Sequence, residues 1–84
     1  MHLTFILVKP AVPQNIGATA RAMNTMGFTD LRLVDPECDH LDPQSWYMAH
    51  GSTDILKNAR SYSTLKQAVE DCDLVVGTTA RKRS

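Results

Sequence analysis

The sequence predicts an α/β domain with a mostly parallel sheet. Short apolar runs alternate with helix-like segments along all 84 residues, the pattern of βαβ units. The first run, Leu3 to Val8, is apolar almost throughout rather than alternating, as a parallel strand covered on both faces requires. Pro10, Pro13, Gly27, Pro36 and Gly51 punctuate the segments, and such residues stop one element before the next begins.

In order, Leu3–Val8 is the first strand, and Pro10 and Pro13 end it and shape a loop. A helix follows from about Asn15 to Met26, with Gly27 as its C-terminal stop. Leu31 to Val34 is a second strand closed by Asp35-Pro36, and the polar segment Glu37 to Pro43 is a loop. Gln44 to His50 forms one or two helical turns, with Trp46 and Met48 facing inward. Ser52 caps a short helix through Asn58, and Tyr62 sits on a third strand. Thr64 caps a helix from Leu65 to Asp71, with Leu65, Ala68 and Val69 as its apolar stripe. Asp73 to Thr78 is the last strand.

Composition narrows the function classes. A chain of 84 residues is one small domain at most. Its formal net charge is +0, so no global field gathers nucleic acid and any contact with RNA comes from a local patch. The charges are segregated: Asp35, Glu37, Asp39 and Asp42 make an acidic middle, and Arg81, Lys82 and Arg83 a basic end. Cys38 and Cys72 form neither a CxxC pair nor a zinc spacing, and His2, His40 and His50 lack a ligand set, so no metal site is expected. Lone thiols suit a reducing compartment. The N-terminal apolar run has neither the basic region nor the length of a signal peptide, and no stretch is long enough to span a membrane. The expectation is a soluble cytoplasmic protein.

The chemistry is concentrated after the first strand, in Asn15, Gly17 and Arg21. Positions i and i+4 share a helix face and side chains tilt toward the N-terminus, so Arg21 lies back over Gly17. Free N–H groups and the positive end of the helix dipole favour an anion there. Each residue also has a plain structural use: Asn15 as an N-cap, Gly17 for close packing, Arg21 as a solvated charge. Glycine inside a helix costs about 1 kcal/mol relative to alanine, so something approaches Gly17 closely. Taken together after a strand, the three point to a phosphate or ribose site.

Asn15-x-Gly17-x-x-x-Arg21 resembles the first motif of the SpoU/TrmH group of SPOUT RNA 2′-O-methyltransferases. Ala20 to Phe28, Leu31 to Pro36, Ala49-His50-Gly51-Ser52-x-Asp54 and Val75 to Arg81 are similar to its TrmJ/LasT-like branch. The resemblance runs over essentially the whole chain but covers only the N-terminal portion of such an enzyme. It implies a Rossmann-like sheet belonging to an α/β knot, here without the C-terminal knot. It further implies S-adenosyl-L-methionine as methyl donor, tRNA or rRNA as partner, and a homodimer at full length. Arg21 is implied to be catalytic, with Asn15 orienting it or the ribose and Gly17 making room for RNA. Thr78, Thr79 and Ala80, at the carboxyl end of the last strand, are implied to line part of the cofactor site, and Arg81 to face RNA, with Arg83 extending the basic end. Arginine stays protonated in proteins, so an electrostatic role suits Arg21 better than that of a general base.

The family's glycine-rich second motif and its knot motif do not occur in these residues. Residues 1–84 are therefore expected to be a truncated domain that alone neither binds the cofactor well nor turns over. The alternative is a non-catalytic α/β module that binds RNA or self-associates through an exposed apolar face. A receiver-like domain fits less well, because of the acidic residues only Asp35 stands at a strand end.

Overall fold

The computed structural model describes residues 3–72 and 74–79. The elements run β1 (Leu3–Val8), α1 (Pro13–Met26), β2 (Asp30–Val34), α2 (Pro43–Ala49), α3 (Thr53–Asn58), β3 (Arg60–Tyr62), α4 (Leu65–Val69) and β4 (Leu74–Thr79). They build one parallel sheet in the order β3-β2-β1-β4. In register, Thr4 faces Asp30 and Val75, Ile6 faces Arg32 and Gly77, and Val8 faces Val34 and Thr79. The predicted parallel α/β architecture is thus the observed one.

Alternation along the central strands sorts the core into two halves. Leu7, Leu31 and Leu33 join Ile16, Ala20 and Met23 of α1, with Ala49, Ile55 and Leu56 of α2 and α3, on one face. Ile6 and Val34 pack against Ala68 of α4 on the other, flanked by Val8, Tyr62 and Val69. Covering both faces explains why β1 reads as a near-continuous apolar run.

The second face also holds a charge. Arg32 is buried in β2 yet fully engaged. Its guanidinium donates to the Ala68 carbonyl at 2.9 Å, to the Asp30 carboxylate at 3.3–3.4 Å and to Asp71. Thr4 Oγ1 donates to the same Asp30 at 2.8 Å. The guanidinium also lies 5.7 Å from the centre of the Tyr62 ring. Hydrogen bonding to Asp71 is the main reason the Arg32 pKa is raised, and the same bond holds the Asp71 carboxyl below its ordinary value. This network fastens α4 to the sheet, and sequence reading overlooked it.

Several local expectations are corrected. The first long helix begins at Pro13, not at Asn15, with Val12 in the extended N-cap position. Proline suits the first helical turn because its missing N–H would have no helical partner there. Asn15 is therefore inside the first turn and is not the cap. On α2 the buried residues are Ser45 and Ala49, while Trp46 and Met48 are only half-buried. Ser52 precedes α3 without a side-chain capping bond. Leu65 is 50% exposed, so Ala68 and Val69 alone form the stripe of α4, which ends at Val69 rather than Asp71. Other expectations hold: Gly27 ends α1 in the left-handed conformation at φ 83°, and Thr64 Oγ1 accepts from the Gln67 N–H at 3.3 Å.

Candidate functional site

The strand order creates the site. From β1 the chain adds β2 and then β3 on one side, and β4 returns to the other side of β1. The gap between β1 and β4 is therefore a topological switch point, and open α/β sheets bind ligands outside the carboxyl ends of the strands at such points. Val8 and Thr79 lie side by side at that edge. The loop after Val8 leads directly into α1, which brings the first turn of a 14-residue helix to the same edge.

The loop is held by backbone bonds. The Lys9 N–H donates to Val34 O at 2.7 Å, Asp35 N–H to Tyr62 O at 2.7 Å, and Glu37 N–H to Pro10 O at 2.9 Å. Lys9 and Asp35, the residues just past β1 and β2, both adopt positive φ, 53° and 47°. Their side chains pair at 4.0 Å, each 62% exposed, an arrangement that contributes little stability.

On α1 the structure separates the three motif residues. Arg21 is exposed, and its guanidinium has no hydrogen bond or ion pair among the described residues. Asn15 is also exposed, and its carbonyl accepts from Thr19 Oγ1 at 2.8 Å. At about 100° per residue, Asn15 stands about 120° around the helix from Arg21. Gln14, seven residues before Arg21, falls within about 20° of it. Sequence reading passed over Gln14, although the seven-residue spacing was available.

Gly17 requires a correction. The expected room above it for a ligand is taken by α2. A Cβ on Gly17 would overlap the Ser45 carbonyl, with the carbonyl carbon at 2.9 Å, and would lie 3.0 Å from Met48 Cβ. Ser45 Oγ reinforces the contact by donating to Pro13 O at 2.6 Å. The close approach inferred from a mid-helix glycine is real, but its partner is a neighbouring helix.

Beside that contact, Gln14 of α1 and Pro43, Gln44, Tyr47 and Met48 of α2 line an open cleft of about 420 Å³. Tyr47 is 74% exposed, and its ring lies 5.7 Å from that of His50, tilted by 50°.

The main chain of Thr78 and Thr79 belongs to β4, paired with Leu7 and Val8 at the switch point. Gly77, one residue earlier, has open space where a side chain would stand. Ala80, Arg81 and Arg83 lie outside the described residues. Among the described residues no group of three or more side chains is placed to hold a metal ion, and no helix is long and apolar enough to cross a membrane.

Comparison with known proteins agrees with this fold. Residues 2–84 match the SpoU rRNA Methylase family. The chain is 52% identical over 84 residues to the uncharacterized tRNA/rRNA methyltransferase LasT of Escherichia coli, covering 100% of this chain and 36% of that protein. It is 42% identical over 83 residues to the tRNA (cytidine/uridine-2′-O-)-methyltransferase TrmJ of Yersinia enterocolitica, covering 99% of this chain and 32% of the relative. The crystal structure of TrmJ from Z. mobilis superimposes with a TM-score of 0.83 at 42% identity, over 100% of this chain and 38% of that one. The chain thus spans about a third of the length of the relatives it matches.

Proposed function

Since the chain belongs to the SpoU rRNA methylase family, we propose that it is the N-terminal part of an RNA ribose 2′-O-methyltransferase acting on tRNA. The observation that carries the reading is the position of Arg21. Its exposed guanidinium, without a hydrogen-bond or ion-pair partner among the described residues, stands on the helix that springs from the switch point. A permanent cation there suits a phosphate and a developing alkoxide.

Methyl transfer to a 2′-hydroxyl needs the oxygen aligned with the methyl group and its developing charge stabilised. Arg21 holds the phosphate next to the target ribose and stabilises the oxygen as its proton passes to that phosphate. Asn15, in the first turn of α1 but on another side, contacts the ribose or its phosphate rather than Arg21. Gly17 sets the distance between α1 and α2 instead of touching RNA. Thr78, Thr79 and Ala80 hold one side of S-adenosyl-L-methionine, which supplies an electrophilic methyl group when bound. The open space at Gly77 and the strand-end position of the two threonines fit such a ligand. Arg81 and Arg83 extend the RNA contact. The remainder of the pocket, and the homodimer, belong to the longer protein.

The test is methyl transfer from labelled S-adenosyl-L-methionine to unmodified tRNA by the full-length protein, read as 2′-O-methylnucleosides after digestion. Arg21→Ala is expected to lower the rate by about 10²–10³-fold, as loss of one charge-stabilising donor does, with the fold unchanged. Wild-type protein that methylates neither tRNA nor rRNA would overturn the reading.

A further inference from the structure

We propose that the cleft between the first turn of α1 and α2 is a nucleobase site, with the ring of Tyr47 as its stacking surface. The inference rests on the RNA reading above and adds to it a place for an unpaired base.

Three features of the cleft select this occupant. Tyr47 presents an aromatic ring that is 74% exposed, whereas an aromatic residue used for packing would be largely buried. Gln14 and Gln44 are among the lining residues, and an amide offers both donors and an acceptor to the edge of a base. The cleft of about 420 Å³ is within the range of small-ligand sites. Sequence-specific RNA recognition uses this combination, an aromatic face for the base and polar groups for its edges. Pro43, Tyr47 and Met48 supply the apolar wall of the cleft.

Position supports the same occupant. Gln14 and Arg21 share one stripe of α1, so a strand held at Arg21 by phosphate has a base-sized cleft along that stripe. The mouth of the cleft carries no acidic side chain among its lining residues Gln14, Pro43, Gln44, Tyr47 and Met48. The acidic carboxylate nearest in sequence, Asp42, is engaged as the cap of α2, accepting from the Gln44 N–H at 2.9 Å.

The experiment compares two fluorescently labelled single-stranded RNAs, one with bases and one with abasic ribose at the same positions, by anisotropy on the full chain. Wild type is expected to prefer the base-bearing RNA about tenfold, the scale of one stacked base. Tyr47→Ala is expected to abolish most of that preference, and Tyr47→Phe to keep it. Arg21→Ala is expected to weaken both RNAs alike. If Arg21→Ala weakens binding while Tyr47→Ala leaves the preference intact, the cleft is not a base site although the RNA reading stands. If wild type binds neither RNA, the RNA reading falls and this inference with it. If Tyr47→Ala changes only the sedimentation of the protein, the cleft is a contact between copies and the proposal is overturned.

Discussion

Gly17 of α1 lies so close to Ser45 of α2 that no other residue fits between them. A Cβ at that position would meet the Ser45 carbonyl carbon at 2.9 Å and Met48 Cβ at 3.0 Å. The obstruction is backbone, which cannot rotate away. Gly17→Ala gains about 1 kcal/mol of helix propensity but overpacks a contact where such insertions cost about 1–3 kcal/mol. The expected result is a net loss of about 1 kcal/mol in urea unfolding. Because the same substitution shifts α2, it weakens binding at Tyr47 as well. A Gly17→Ala protein as stable as wild type would show that the helices separate freely.

Arg32 and Asp71 give a pH-dependent prediction. The Asp71 carboxyl is held below its ordinary value chiefly by its hydrogen bond to Arg32. Since the folded pKa is the lower one, the contribution is complete above the unfolded value of about 3.9 and is lost as pH falls through the folded value. Asp71→Asn should therefore flatten the stability profile between pH 5 and the acid limit while changing little in slope above pH 6, by the same linkage with an unfolded value of about 3.9. The effect is modest, because the Asp71 side chain is 66% exposed. Arg32→Ala is the larger change: it removes a buried charge with several acceptors and leaves Asp30 partly enclosed, for an expected loss of about 1.5–3 kcal/mol. Chemical denaturation across pH separates the two.

These two residues mark what the sequence discloses and what it hides. The alternation of apolar runs, the αL stop at Gly27 and the cap at Thr64 are local, and local chemistry predicts them. The arginine in Leu31-Arg32-Leu33 carried a signal too, since a buried strand charge demands an acid. Its partner Asp71 is 39 residues away, and only the crossing of α4 over the sheet brings it near. At the candidate site the same limit applies. Periodicity places Arg21 over Gly17, but the helix packed against Gly17 begins at Pro43. Asparagine favours the cap position, but Pro13 starts the helix two residues upstream of Asn15.

The caps of the two helices that follow one another make a controlled comparison. Asp42 Oδ1 accepts from the Gln44 N–H at 2.9 Å at the start of α2, whereas Ser52 makes no capping bond at the start of α3. Asp42→Ala should cost about 0.5–2 kcal/mol through loss of the cap. Asp42→Gly should lose much less than Asp42→Ala, because glycine is itself a tolerated cap. Ser52→Ala and Ser52→Gly should show no such difference. Equal behaviour at the two positions in thermal unfolding would mean that the cap bond on α2 contributes nothing.

Cys38 offers a readout of the loop that faces the carboxyl edge of the sheet. Its Sγ donates to Pro10 O at 3.4 Å, tying the loop after β2 to the loop after β1. Burial pushes the thiol pKa up, and the carboxylates of Asp42, Asp39 and Glu37 push it further. The thiolate is the reactive form, so alkylation at pH 8 is expected to be several-fold slower than for an unstructured cysteine peptide. Asp42→Asn removes one of the charges and should accelerate the reaction modestly, whereas full unfolding in denaturant should bring it to the peptide rate. Alkylation at the peptide rate in the folded protein would mean that the loop opens faster than the reagent attacks, and that the Pro10–Cys38 tie does not fix the edge of the site.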